Sequence, residues 1–261
     1  MKNKWLKRMI TALLILAIAL VGAVKFPLIW REVTFHWTEH TEAELRVKAY
    51  ADEMGVSYWK YPESLIDLLE RNPETEEFVL EYPFREEREP EVFTYDLTEG
   101  VPLMMQWDKR WGYENYAGSI MALSGCGPVC LSMVSIYLTG NTQLTPSYIA
   151  EFATENGYAT YNNGTKWTLM SEGAEELGLV SQELPLDKDI IINALKGNKP
   201  VIMIMGEGDF TTGGHFITVV GYDEDGFTVL DPNSREKSSG KWPYERIESQ
   251  IRNIWCYSVI M

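Results

Sequence analysis

Gly213-Gly214-His215-Phe216-Ile217-Thr218-Val219-Val220-Gly221-Tyr222-Asp223-Glu224-Asp225-Gly226-Phe227-Thr228-Val229-Leu230-Asp231-Pro232 is the stretch that decides the fold. Two β-branched and aromatic runs flank Asp225-Gly226, a dipeptide that tolerates the left-handed backbone of a tight turn, so the stretch predicts an antiparallel hairpin. His215 stands at the mouth of its first strand behind two glycines, and Asp231 ends the second, sixteen residues on. Antiparallel pairing brings the start of one strand beside the end of the next. The carboxylate is therefore expected within reach of the imidazole, where it can fix the ring tautomer.

Upstream of the hairpin the apolar period changes. Residues 127–138 repeat at helical spacing, with Val129, Met133, Val134, Ile136 and Tyr137 expected on an apolar side and Gly140-Asn141 as the stop. Further helices are predicted over Pro146 to Glu155, Leu169 to Leu177 and Asp189 to Leu195. Pro200 to Met205 reads as a buried strand and Ile254 to Ile260 as the last one. Helices followed by an antiparallel sheet make an α+β architecture.

Ser124-Gly125-Cys126-Gly127-Pro128 opens the first of these helices. A helix start stabilises a thiolate through its free N–H groups and the aligned peptide dipoles. Glycines on either side are expected to let a substrate backbone come close. Cys126 is thus the candidate nucleophile, His215 the candidate base and Asp231 its orienting acid. Cys130, one turn on, should face the helix's own packing. Cys130 and Cys256 either bridge or, more simply, stay as buried apolar thiols. His36 and His40 lie in a charged stretch remote from these signals. No metal site and no cofactor is expected: Cys126, Cys130 and one histidine lack third and fourth ligands. Asp223, Glu224 and Asp225 read as the solvated tip of a hairpin, and Asp209 to Gly214 as a mobile rim of the cleft.

Charge narrows the partners. The 261 residues carry a formal net charge of -15, but the first 25 hold five basic groups (Lys2, Lys4, Lys7, Arg8, Lys25) and no acid. The remainder sets 18 basic against 38 acidic side chains. A body that acidic is repelled by phosphate backbones and by anionic lipid, so no nucleic-acid partner is expected. Membrane contact is confined to the N-terminus. There, the basic residues 2–8 precede the uncharged run 9–24, an export signal with its basic end held inside. Sixteen helical residues reach about 24 Å, short of a bilayer core unless Phe26 to Trp30 joins them. Residues 1–30 therefore read as a membrane anchor or a signal peptide cut near Val21-Gly22-Ala23. Either way the folded body lies outside the cytoplasm, anchored to the cell membrane or secreted. Residues 31–95 are an acidic helical region and 96–261 the catalytic domain. In the former, helices are expected over Glu39 to Met54, from Pro62 and after Asn72-Pro73-Glu74, ahead of a charged linker from Arg85 to Pro90.

The ordered set Gln106-x-Asp108-x-x-Trp111, Gly125-Cys126-Gly127-Pro128, Gly214-His215-Phe216, Gly221-Tyr222-Asp223 and Asp231-Pro232 resembles the bacteriocin-processing-like branch of papain-type cysteine peptidases, over about residues 100–258. The resemblance implies a papain-like fold, with Cys126 as nucleophile, His215 as general base, Asp231 as orienter and Gln106 as side-chain donor to the oxyanion. It implies a peptide or protein substrate, cell-wall peptide being one such class. Trp107 and Trp111 are taken as packing residues. Relatives of that branch sit before a transporter and cut a leader after two glycines. This sequence shows no transmembrane bundle or phosphate-binding loop, so leader processing is not carried over. Two other readings stay open: a cell-wall amidase or transpeptidase on the same scaffold, and a non-catalytic peptide-binding module.

Overall fold

A computed structural model describes residues 35, 39–87, 93–95, 98 and 100–259. The proposed signal or anchor, residues 1–30, and His36 lie outside the described residues. Among the described residues no helix is long and apolar enough to cross a membrane. The chain divides into two compact units, residues 1–45 and 46–261. In the first, Thr41 and Glu44 form a reciprocal capping box, Glu44 N–H to Thr41 Oγ1 at 3.3 Å and Thr41 N–H to Glu44 Oε2 at 2.9 Å. His40 is held there by Glu44 and by the Phe35 carbonyl.

Helix α1 (Glu42–Glu53) leads into α2 (Glu63–Arg71) and α3 (Glu76–Leu80). Leu65, Ile66, Leu68 and Leu69 recur at helical spacing and bury one face of α2. Asn72 ends α2 and caps the next turn, its side chain accepting from the Glu74 N–H at 3.1 Å. Where a charged linker was expected, Tyr82–Glu87 coils into a 3-10 turn. A two-stranded hairpin of β1 (Asn115–Tyr116) and β2 (Ser119–Ile120) precedes α4 (Met121–Ser124), α5 (Cys126–Thr139) and α6 (Pro146–Glu155). Then come the hairpin β3 (Ala159–Thr160) and β4 (Gly164–Thr165), helix α7 (Glu172–Glu176), β5 (Val180–Glu183), α8 (Lys188–Lys196), β6 (Val201–Met205), β7 (His215–Asp223), β8 (Gly226–Leu230), α9 (Arg235–Ser239), β9 (Lys241–Trp242), α10 (Tyr244–Ile247) and β10 (Ile251–Ser258).

The main sheet has six antiparallel strands in the order β5-β10-β6-β7-β8-β9. Its two faces explain the unbroken apolar run of β6. Ile202 and Ile204 pack with α5 and α6 through Val129, Met133 and Ile149. Val201, Met203 and Met205 face the other way, onto Ile191 and Leu195 of α8 and Ile247 of α10. A strand buried on both sides loses the polar alternation of a half-exposed one.

The mixed helix and antiparallel-sheet class is as expected, with differences in detail. Helix α5 has no single apolar side, because every residue from Gly127 to Ile136 is buried. The helix expected over 169–177 is a 3-10 turn followed by the five-residue α7. Strand β5 and the two small hairpins gave no signal of their own in the sequence.

Candidate active site

Helix α5 begins at Cys126, with Gly125 before it and Pro128 as its third residue. Proline at that position sacrifices no hydrogen bond, since first-turn N–H groups have no intrahelical partner. Across from the helix start, β7 begins at His215, which register pairs with Met205. Strand β8 ends at Leu230 opposite Thr218, and Asp231 follows in an isolated bridge to Ser234.

His215 Nε2 and Asp231 Oδ1 are 2.7 Å apart, both side chains nearly shielded from solvent at 9% and 1% exposure. The same Asp231 oxygen accepts from the Asn233 N–H at 2.8 Å. With Nε2 engaged, Nδ1 is the ring nitrogen left for the half-buried Cys126 thiol, which interacts electrostatically with the imidazole. Burial alone would push the Cys126 thiol up. The His215 hydrogen bond and charge, with the N–H groups of Phe216 and Gly127, more than offset it and hold the thiol below its ordinary value. Burial alone would pull the imidazole down, but the Asp231 carboxylate and the Cys126 sulfur hold it well above 6.5. Opposite shifts on neighbouring groups favour a thiolate–imidazolium pair over the neutral one.

Gln106 is buried and linked to both halves of the site. Its N–H donates to the Pro232 carbonyl at 2.7 Å, and its Nε2 donates to the Ala122 carbonyl at 2.6 Å, four residues before the cysteine. That bond uses one amide hydrogen of two. The neighbouring motif residues do structural work. Trp111 is buried with its Nε1 on the Met105 carbonyl at 2.8 Å, and Asp108 holds the turn through Arg110. Trp107 Nε1 donates to the Asn233 carbonyl at 2.9 Å.

Cys126 opens into a cleft of about 590 Å³. Gly214, Phe216 and Ile204 line it on the sheet side, and the β3–β4 hairpin with Trp167 on the other. The glycines beside Cys126 face the chain's own atoms, not the cleft. A Cβ on Gly127 would stand 2.6 Å from Thr165 Oγ1, and one on Gly125 2.6 Å from the Met121 carbonyl. They let the chain pack on itself, whereas Gly214 lines the open cleft. The hairpin wall is tied down by Tyr116 OH to Thr165 Oγ1 at 2.8 Å and by the Asn162 N–H to the Ala117 carbonyl at 2.8 Å.

Cys130 and Cys256 are free thiols, not a bridge. Burial pushes Cys130 well above the ordinary thiol value, and raises Cys256 too. The 209–214 rim is anchored at its start: Asp209 accepts from Arg246 at 2.7 and 3.0 Å and from Gln250 at 2.8 Å, and Phe210 is buried against Trp242. Asp223 pairs with Lys241 at 2.5 Å. Asn72 and Glu74, read from sequence only as a helix boundary, reach the Asp231 turn. Nothing local in Asn72-Pro73-Glu74 signals a partner some 160 residues away.

No curated protein matches the chain. Several solved structures resemble it distantly. The peptidase domain of Streptococcus ComA, a bi-functional ABC transporter involved in a quorum sensing pathway, is 20% identical over 52% of this chain and 93% of its own, with a TM-score of 0.41. A Bacillus anthracis protein assigned as a C39-like peptidase is 17% identical over 61% of this chain and 95% of its own, at 0.36. The Peptidase_C39 like family has a sequence model that matches residues 98–259, a span that takes in Gln106, Cys126, His215 and Asp231. That match covers well over half of the 261 residues, and the chain accordingly belongs to the Peptidase_C39 like family.

Proposed function

We propose that the protein is a papain-like cysteine peptidase that hydrolyses peptide bonds through Cys126, His215 and Asp231. One observation carries the reading: the imidazole that holds a helix-start thiol below its ordinary value has its Nε2 2.7 Å from a buried carboxylate. Each group then has a task. The Cys126 thiolate attacks the scissile carbonyl carbon, and the new oxyanion takes the Cys126 N–H and the second Gln106 amide hydrogen. His215 Nδ1 gives its proton to the leaving amine, which departs and leaves a thioester on Cys126. The ring, now neutral, takes a proton from water, whose oxygen attacks the thioester and releases the acid. Asp231 keeps Nε2 protonated and the ring aligned throughout.

The basic and apolar residues 2–24 add an export signal, which supports work outside the cytoplasm on an exposed peptide or protein. The test is a peptide-library digest read by mass spectrometry with wild-type protein, Cys126→Ala and His215→Ala. Cleavage by wild type alone is expected. Cleavage that survives in Cys126→Ala, or folded wild type that neither cuts nor shows His215-dependent alkylation of Cys126, overturns the proposal.

A further inference from the structure

Asp231 lies one residue past the end of β8, where the ladder of the sheet no longer fixes the chain. Its placement falls to the turn Asp231-Pro232-Asn233-Ser234, and most of the bonds that secure that turn come from elsewhere. The Pro232 carbonyl accepts from the Gln106 N–H at 2.7 Å. The Asn233 carbonyl accepts from Trp107 Nε1 at 2.9 Å and from Asn72 Nδ2 at 2.6 Å. The Glu74 carboxylate accepts from Ser234 Oγ at 2.7 Å, the Arg235 N–H at 2.9 Å and the Glu236 N–H at 3.3 Å. Those donors open α9, and α9 turns back on the acid: Ser238 Oγ accepts from the Asp231 N–H at 2.8 Å. A continuous chain of bonds thus runs from Glu74 through α9 to the backbone of Asp231. Asn72 is buried, so its amide has no ready exchange with water.

We propose that Asn72 and Glu74 are positioning residues for the carboxylate that serves His215, so that the acidic helical segment is a working part of the catalytic centre. The proposal rests on the peptidase reading of Cys126, His215 and Asp231. Both residues lie ahead of the stretch matched by the family, 98–259, so the brace is built from this chain's own N-terminal portion. A carboxylate displaced by a fraction of an ångström holds the imidazole less firmly, and its charge supports the imidazolium less.

The experiment uses the full chain and measures the rate of Cys126 alkylation by iodoacetate, an anion drawn by the imidazolium, against pH, beside kcat and KM on a peptide found by the library digest. Glu74→Ala should lower kcat by about tenfold, with KM within about twofold, since loss of alignment alone can cost that much. It should also move the alkaline limb of the alkylation profile to lower pH. Glu74→Gln, which keeps one accepting oxygen, should recover part of both. Glu77→Ala, which touches Lys109 instead, should change neither. If Glu74→Ala does not fold, Asn72→Asp carries the same expectation: it keeps the acceptor for the Glu74 N–H and loses the donor to Asn233. A lowered melting temperature with kcat and the alkaline limb unmoved overturns the brace alone. Alkylation indifferent to His215→Ala overturns the brace and the peptidase reading together.

Discussion

Replacing Asp231 by asparagine and by alanine separates two contributions of that carboxylate. Its oxygen lies 2.7 Å from His215 Nε2 in a site almost closed to water. Unit charges about 4 Å apart at an effective dielectric of about 20 attract by roughly 4 kcal/mol, the equivalent of about three pH units on the imidazole. The rise of that group, from 6.5 to about 10, is opposed by burial and shared between the carboxylate and the Cys126 sulfur, so the alkaline limb should move down when the carboxylate's charge is gone. The sign is fixed by the chemistry. Activity needs the thiolate and the imidazolium together, so it is lost as pH rises through the imidazole's folded value and as pH falls through the thiol's. In Asp231→Asn the carboxamide can still accept from Nε2–H, so the ring stays aligned. The alkaline limb should fall by one to three units (about 1.4 to 4 kcal/mol) while the plateau drops modestly. In Asp231→Ala the ring is also released and the Asn233 N–H loses its acceptor, so the plateau should fall by a further factor of about a hundred. Stopped-flow alkylation with iodoacetate, an anion whose approach the imidazolium favours, read by mass spectrometry of the Cys126 peptide, measures limb and plateau without any substrate. An alkaline limb that stays put in both variants, with near-UV circular dichroism unchanged, would refute the electrostatic account of Asp231.

Gly127→Ala should force the β3–β4 hairpin away from α5, costing about 1–3 kcal/mol in chemical denaturation; pairing it with Thr165→Ala, which removes the obstructing side chain, should restore part of that. Ala117 holds a left-handed backbone at φ 53° in the β1–β2 turn, so Ala117→Gly should raise the melting free energy by about 1 kcal/mol. Cys130→Ala should leave the alkylation rate of Cys126 unchanged, and brief iodoacetamide treatment of the native protein should modify Cys126 and spare Cys130, because a buried thiol held above its ordinary value carries almost no thiolate.

The hairpin centred on Asp225-Gly226 was legible because turn chemistry and β-branched runs act over a few residues, and the His215–Asp231 meeting follows from that register alone. Helix α5 was legible from its spacing and from Gly140, which takes the left-handed C-cap at φ 70°. Its burial on every side was not, because Ser132 and Ser135 look solvent-facing in a sequence. In the folded chain Ser132 Oγ instead finds the Leu144 carbonyl at 2.6 Å. Gly125 and Gly127 announced a need for close approach without naming the neighbour; only the tertiary packing says that it is Met121 and Thr165. The brace from Asn72 and Glu74 was beyond local reading for the same reason: a capping asparagine and an acidic first turn are already sufficient explanations for those residues in place.

Cys126 belongs to the most deeply enclosed helix among the described residues, whereas the wall facing it is a pair of two-residue strands. Amides near the middle of α5 should exchange with deuterium only when the whole domain opens, and those of Ala159 to Thr165 far sooner. Admission of a bulky peptide then depends on the wall yielding while the sulfur stays still, and heat should abolish turnover by distorting the entrance before it dislodges the thiol.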